Sequence, residues 1–155
     1  KMPEKDYKEQ NEVLMELEYS GFIPDTYVHS IQTKMEIYKK VAGIQTKQEL
    51  GMLYSELEDR FGPLPDEVES LVSLAEIRVL CGKLYITSMK ERNGRIEITF
   101  GKLHMINQEK VMRLIKESGG DIKVSPQKVV LILTSNLVDL KEKSAFLRDK
   151  LMQLI

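Results

Sequence analysis

Glu56-Leu57-Glu58-Asp59-Arg60-Phe61-Gly62-Pro63-Leu64-Pro65 carries the end of one helix, a stop and the corner into the next helix. The helix it ends reads back to Thr46-Lys47-Gln48-Glu49, a capping box in which hydroxyl and carboxylate each satisfy an orphan backbone N–H. At about 100° per residue, Leu50, Leu53, Tyr54, Leu57 and Phe61 fall on one stripe, which must be core. Glu49, Met52, Glu56, Asp59 and Arg60 form a second stripe, well off the apolar one. Glu56 and Arg60 stand one helical turn apart in the favourable order. Gly62 follows the last apolar residue, where a left-handed residue closes a helix. Pro63 prevents continuation, and Pro65 with Asp66 sets up the next N-terminus, where Asp66-Glu67-Val68-Glu69 reads as an Asp variant of the capping box.

Upstream, Val13, Met15, Leu17 and Tyr19 alternate with Glu16, Glu18 and Ser20, the period of a half-buried strand. Gly21-Phe22-Ile23-Pro24-Asp25 turns the chain. Val28, Ile31, Met35, Tyr38 and Val41 then keep helical spacing up to Gly43. In the helix from Asp66, Leu71, Leu74, Ala75, Arg78 and Cys81 share a face, so Cys81 reads as a small core residue. The three helices are joined by short connections and should pack as neighbours.

Downstream the period changes. Tyr85 to Glu91 and Arg95 to Phe100 flank Asn93-Gly94, a strong hairpin signal because both central residues take positive φ. Ile96, Ile98 and Phe100 point to one face of that hairpin. Asn107 caps a helix carrying Val111, Leu114 and Ile115, which Gly119-Gly120 ends. Ile122 to Val124 reads as a short strand, residues 125–128 as a turn, and Val129 to Leu133, apolar on both faces, as a central strand. Leu137, Leu140, Ser144, Leu147, Leu151 and Leu154 mark a closing helix that covers the sheet. The fold class is α+β: a helical N-terminal lobe with an edge strand, then a mixed or antiparallel sheet lobe of hairpin, helix, strands and C-terminal helix. Residues 1–12 read as a linker remnant, and 13–155 as a single domain with sub-lobes about 13–83 and 84–155.

Composition narrows the function. The 155 residues hold 23 Lys and Arg against 24 Asp and Glu, a net charge of −1, which gives no field for tight nucleic-acid binding. The densest basic cluster, Lys90, Arg92 and Arg95, flanks a hairpin turn. One cysteine excludes an internal disulfide and, with no signal peptide, fits the cytoplasm. The longest apolar run is too short to span a bilayer, so no membrane association is expected. Lys1 in place of Met suggests a piece of a larger protein. Gly119-Gly120 lacks the Lys-Ser/Thr of a phosphate loop, His29 and His104 stand alone with no zinc spacing, and no nucleophile elbow exists. The expectation is therefore a domain with no catalytic residues, metal or cofactor. On local chemistry alone the Glu56–Arg60 helix end is a solvated surface, worth ~0.2–0.5 kcal/mol per ion pair.

The whole stretch from Glu56 to Pro65 resembles the "E-L-x-D-R-F-G-x-x-P" signature of the C-terminal domain of bacterial transcription-repair coupling factors (Mfd). Ile23-Pro24-Asp25-Thr26-Tyr27-Val28 and Ile37-Tyr38-Lys39-Lys40-Val41-Ala42 resemble that family's "I-P-x-x-Y-I" and "x-Y-K-R-L-A". The three motifs occur in order between about Gly21 and Leu84. The later half matches only in its pattern of strands and helices. The resemblance implies a regulatory module of a DNA-translocating ATPase, whose motor, with its ATP and Mg, lies elsewhere in the parent chain. It implies docking on an N-terminal module related to UvrB. There the domain masks the surface that recruits UvrA, restraining a motor that acts on stalled RNA polymerase. Glu56, Asp59 and Arg60 occupy the family's interface positions, and position 58 is variable in the pattern. Phe61, Gly62, Pro63, Pro65, Pro24, Tyr27 and Tyr38 carry the structural signature, with Tyr27 expected to plug the junction between strand and helix. Two other functions stay open: an accessory domain that contacts nucleic acid, and a small enzyme using the carboxylates of Glu56 and Asp59.

Overall fold

The computed structural model describes residues 13–18, 21–102, 105–124, 130–134 and 140–155. The expected linker 1–12, Tyr19 and Ser20 at the strand end, His104, the 125–128 turn, Val129 and Leu137 lie outside the described residues. The chain divides into two compact units. One runs from Tyr19 to Val79, and the other is formed by the segments flanking it, up to Glu18 and from Leu80 onward.

The flanking unit is built on a five-stranded mixed sheet. Its strands are β1 (Leu14–Glu16), β2 (Ile86–Arg92), β3 (Arg95–Phe100), β4 (Ile122–Val124) and β5 (Val130–Thr134), in the order β1-β2-β3-β5-β4. β1 is an edge strand as expected, but it pairs in parallel with β2, Met15 opposite Met89. It therefore belongs to the sheet unit and not, as its place in the chain suggests, to the helical lobe. Strand periodicity fixes which residues face inward; it carries no information on which strand lies alongside. The remaining pairings are antiparallel, and β5 is interior, between β3 and β4. Ile96, Ile98 and Phe100 are buried together, and Asn93 and Gly94 turn the hairpin with φ of 53° and 76°. Tyr85, expected in the strand, instead takes φ 57° just before it. Asn107 caps α4 (Gln108–Glu117) by accepting from the amides of Glu109 and Lys110. On α5 (Leu140–Met152) Ser144, Leu147 and Leu151 are buried, with Leu154 just beyond. Lys143 of α5 pairs with the buried Glu91 of β2 at 2.8 Å, which fastens the helix to the sheet.

The central unit holds α1 (Ile31–Gly43), α2 (Lys47–Phe61) and most of α3 (Asp66–Lys83). Their shared core contains Ile37, Val41, Leu50, Leu53, Leu57 and Val68. The face of α1 differs from the expected one. Ile37 is buried, whereas Ile31 and Met35 are 74% and 66% exposed. The stripe that starts at Val28 begins before the helix: Val28 is buried in the preceding loop, so its phase does not carry into α1. α3 begins at Asp66 itself, with the Pro65 carbonyl accepting from Val68 and Glu69, so Asp66 lies in the first turn rather than at the cap. The single face read for α3 is also too narrow. Val68, Val72, Ala75 and Val79 join the core, and Cys81 is fully buried, its thiol pushed up to about 12 by desolvation. Gly21 lies so close to α3 that a Cβ there would come within 2.2 Å of the Leu71 nitrogen, so only glycine lets the chain pass.

Candidate functional site

The end of α2 is fixed from several directions. Thr46 and Glu49 form the expected capping box at its start, with both bonds at 3.1 Å. At the other end the Gly62 amide donates to the Glu58 carbonyl at 2.9 Å. Gly62 has φ 89° and ψ −171°, outside the left-handed helical region that a common helix stop uses. That combination is open to glycine almost alone. Tyr27, expected at the junction between strand and helix, is bonded to the end of α2. Its hydroxyl lies 3.1 Å from the Leu57 carbonyl and 2.9 Å from the Gly62 carbonyl, donating across the helix stop. Burial raises its pKa first, and the nearby Glu58 charge adds to this, which keeps the hydroxyl a donor.

Phe61, expected in the core, is half-buried at its rim. Its ring meets Tyr27 at 5.6 Å between centroids, tilted by 55°. On its other contact the Arg60 guanidinium carbon lies 4.9 Å from the ring centroid, a cation–π geometry. Arg60 Nη1 also donates to Glu56 Oε2 at 3.0 Å. The chain of contacts from Gly62 through Tyr27 and Phe61 therefore holds Arg60 in one place at the helix end. Tyr38 acts at a distance from this end: its hydroxyl accepts from the Ile23 amide at 2.8 Å, beside Pro24, whose carbonyl accepts from Tyr27 and Val28. Pro63 is exposed and Pro65 half-buried on the way into α3.

Of the three expected docking residues, Glu56 and Arg60 bond each other and Asp59 joins neither. Glu56 is a partner of Lys40 on α1 as well, whose Nζ donates to Oε1 at 3.0 Å and Oε2 at 2.9 Å. The hydrogen bonds from Lys40 and then Arg60 hold the Glu56 carboxyl below its ordinary value. Asp59 is exposed on the same surface, with no hydrogen bond or ion pair to any described residue. These four residues line an open cleft of about 1010 Å³ between the C-terminal part of α1 and α2, whose wall includes Gly51, Met52 and Ser55. The cleft is wide, shallow and charged at its end. That suits a protein surface more than a small molecule, which is usually enclosed.

Two residues that position this surface escaped the sequence reading. Lys40 lies within the Tyr38-Lys39-Lys40-Val41 run, but its partner Glu56 is a helix away. Arg78 stands on a face read as apolar, and its Nη2 donates to the carbonyls of Val41 at 2.8 Å and Ile44 at 3.0 Å. It thereby caps the end of α1, and burial lowers its pKa. An arginine among apolar helix positions was the available signal, since a half-buried guanidinium needs acceptors. Among the described residues no group of three or more His, Cys, Asp or Glu could hold a metal ion. No described helix is long and apolar enough to cross a membrane.

The sequence model of the TRCF domain family matches residues 17–111. Similar curated proteins include the transcription-repair-coupling factor of Borreliella burgdorferi, 37% identical over 83% of this chain and 12% of that protein. Those of Staphylococcus haemolyticus and Haemophilus influenzae are each 31% identical, over 73% and 70% of this chain and 10% and 9% of theirs. The chain thus spans about a tenth of the length of these relatives. A solved structure, the crystal structure of the C-terminal domain of a transcription-repair coupling factor, superposes with a TM-score of 0.75. It covers 92% of both chains at 22% identity.

Proposed function

Since the chain belongs to the TRCF domain family, the C-terminal domain of transcription-repair coupling factors, we propose that it is a regulatory docking module with no catalytic step of its own. In this reading it binds the UvrB-related N-terminal module of its parent protein through Glu56, Asp59 and Arg60. Docked there, it masks the surface that recruits UvrA and restrains the ATP-driven motor that acts on RNA polymerase stalled on DNA. The observation that carries the reading is Asp59. It is an exposed carboxylate without a partner among the described residues, on a helix end that Gly62, Tyr27 and Phe61 hold rigid. A charge kept in fixed geometry and left unpaired is ready to meet a cation on another surface.

The test compares full-length parent protein, wild type and Asp59→Ala, for binding of UvrA. Removing one member of a desolvated pair costs about 2–5 kcal/mol, roughly 30- to 5,000-fold in the docking equilibrium. The variant is expected to bind UvrA without prior activation and to run its motor faster on DNA alone. Equal UvrA affinities in two folded proteins would remove this surface from the mechanism.

A further inference from the structure

The Glu56 carboxylate is already engaged before any partner arrives. Lys40 reaches it from α1 and Arg60 from its own helix, and both Glu56 oxygens are occupied. The three side chains remain partly open to solvent, at 51% for Lys40, 32% for Glu56 and 45% for Arg60. Exposed ion pairs of this kind contribute little to folding, because each gains modest Coulomb energy and must order two long side chains. The same ordering has a different value at a docking surface. A side chain already held in one rotamer loses less freedom when a partner covers it.

Resting on the docking reading above, we propose that Lys40 is a positioning residue of this surface. Held between Lys40 and Arg60, Glu56 fixes the guanidinium of Arg60, which Phe61 backs from the other side. Glu56 and Arg60 therefore meet the partner as a preset array, with Asp59 alongside as a carboxylate that no described residue pairs. Lys40 acts through Glu56 and does not itself bind the partner. Cations and carboxylates are interspersed on the surface, Lys40 and Arg60 beside Glu56 and Asp59 with Glu49 further along the cleft, so recognition depends on where each charge is held more than on net attraction. A partner that fits presents an equally fixed, mixed-charge surface with a cation opposite Asp59.

The inference is tested by a double-mutant cycle in the full-length parent protein, read as apparent affinity for UvrA. Lys40→Met keeps the aliphatic stem and removes the charge. It is expected to loosen docking and raise UvrA affinity about 3- to 10-fold, the scale of one or two side chains to be ordered on binding. Lys40→Arg is expected to restore the wild-type value. In a Glu56→Gln background, Lys40→Met is expected to add less than about 2-fold, because its effect passes through Glu56. An equal effect in both backgrounds would show Lys40 to be a direct contact and overturn the proposal. So would an unchanged affinity in Lys40→Met while Asp59→Ala still releases UvrA, and that outcome leaves the docking reading standing. If Asp59→Ala and Glu56→Gln also leave UvrA binding unchanged, both fall together.

Discussion

The hydroxyl of Tyr27 sits 2.9 Å from the carbonyl oxygen of Gly62, thirty-five residues away, and joins the loop before α1 to the end of α2. The same hydroxyl lies 3.1 Å from the Leu57 carbonyl. One O–H has one proton, so the two carbonyls share a single donor. Tyr27→Phe keeps the ring against Phe61 and removes that donor. It is expected to destabilise the protein by about 0.5–1.5 kcal/mol, the net value of one neutral hydrogen bond. Urea denaturation of the two proteins measures it, and an unchanged midpoint would mean that the bond adds nothing beyond solvent.

Two glycines of α2 and its stop should respond with opposite signs to the same change. Around both, an added Cβ would meet open space, so sterics are not the issue. Gly62 has φ 89°, and Gly62→Ala forces an L side chain into that conformation, at a cost of about 1–3 kcal/mol. Gly51 lies within the helix and is exposed, and Gly51→Ala should stabilise by about 0.5–1 kcal/mol, mainly by restricting the unfolded chain. Thermal unfolding of the pair checks this. Shifts in the same direction would contradict the backbone assignment at Gly62.

Arg78 donates to two carbonyls at the end of α1, and Arg78→Met removes that donor from both, leaving the Val41 oxygen with only the Ile44 amide at 3.3 Å. A loss of about 1.5–3 kcal/mol is expected, the scale of hydrogen bonds from a charged donor. Hydrogen exchange should locate the change, with amides near Val41 and Ile44 losing protection first. Uniform loss across the three helices would point to a general packing defect.

Acid should reach Glu56 only below the ordinary carboxylate range. Its carboxyl is held below the ordinary value of 4.5 by Lys40 and Arg60. A carboxylate with a lowered folded pKa adds stability that is complete above its unfolded pKa and is lost as pH falls through the lowered value. The Glu56 contribution is therefore present at neutral pH and disappears in the acid range below 4.5. Carboxyl NMR titration should give a Glu56 midpoint below 4.5 in the wild type and a higher one in Lys40→Met. Identical midpoints in the two proteins would show that the Lys40 bond is not held in solution.

The sequence by itself determined where elements start and stop and which residues face inward on most of them. The capping box at Thr46, the stop at Gly62-Pro63 and the hairpin turn at Asn93-Gly94 are local devices, satisfied by neighbours a few residues away, so they can be read along the chain. The same holds for the alternation of Ile96, Ile98 and Phe100, because side chains in a strand point to opposite faces in turn. The off-core stripe with Glu56, Asp59 and Arg60 was legible for the same reason. Only the tertiary structure decided what those groups touch. β1 pairs with β2 more than seventy residues away, Tyr27 spans to Gly62, Lys40 reaches Glu56, and Arg78 caps a helix other than its own. In α1 the structure also set the rotation, burying Ile37 and leaving Ile31 and Met35 outside. Periodicity gives the angle between residues on one helix; the zero of that angle is set by the neighbouring helices against which the surface packs.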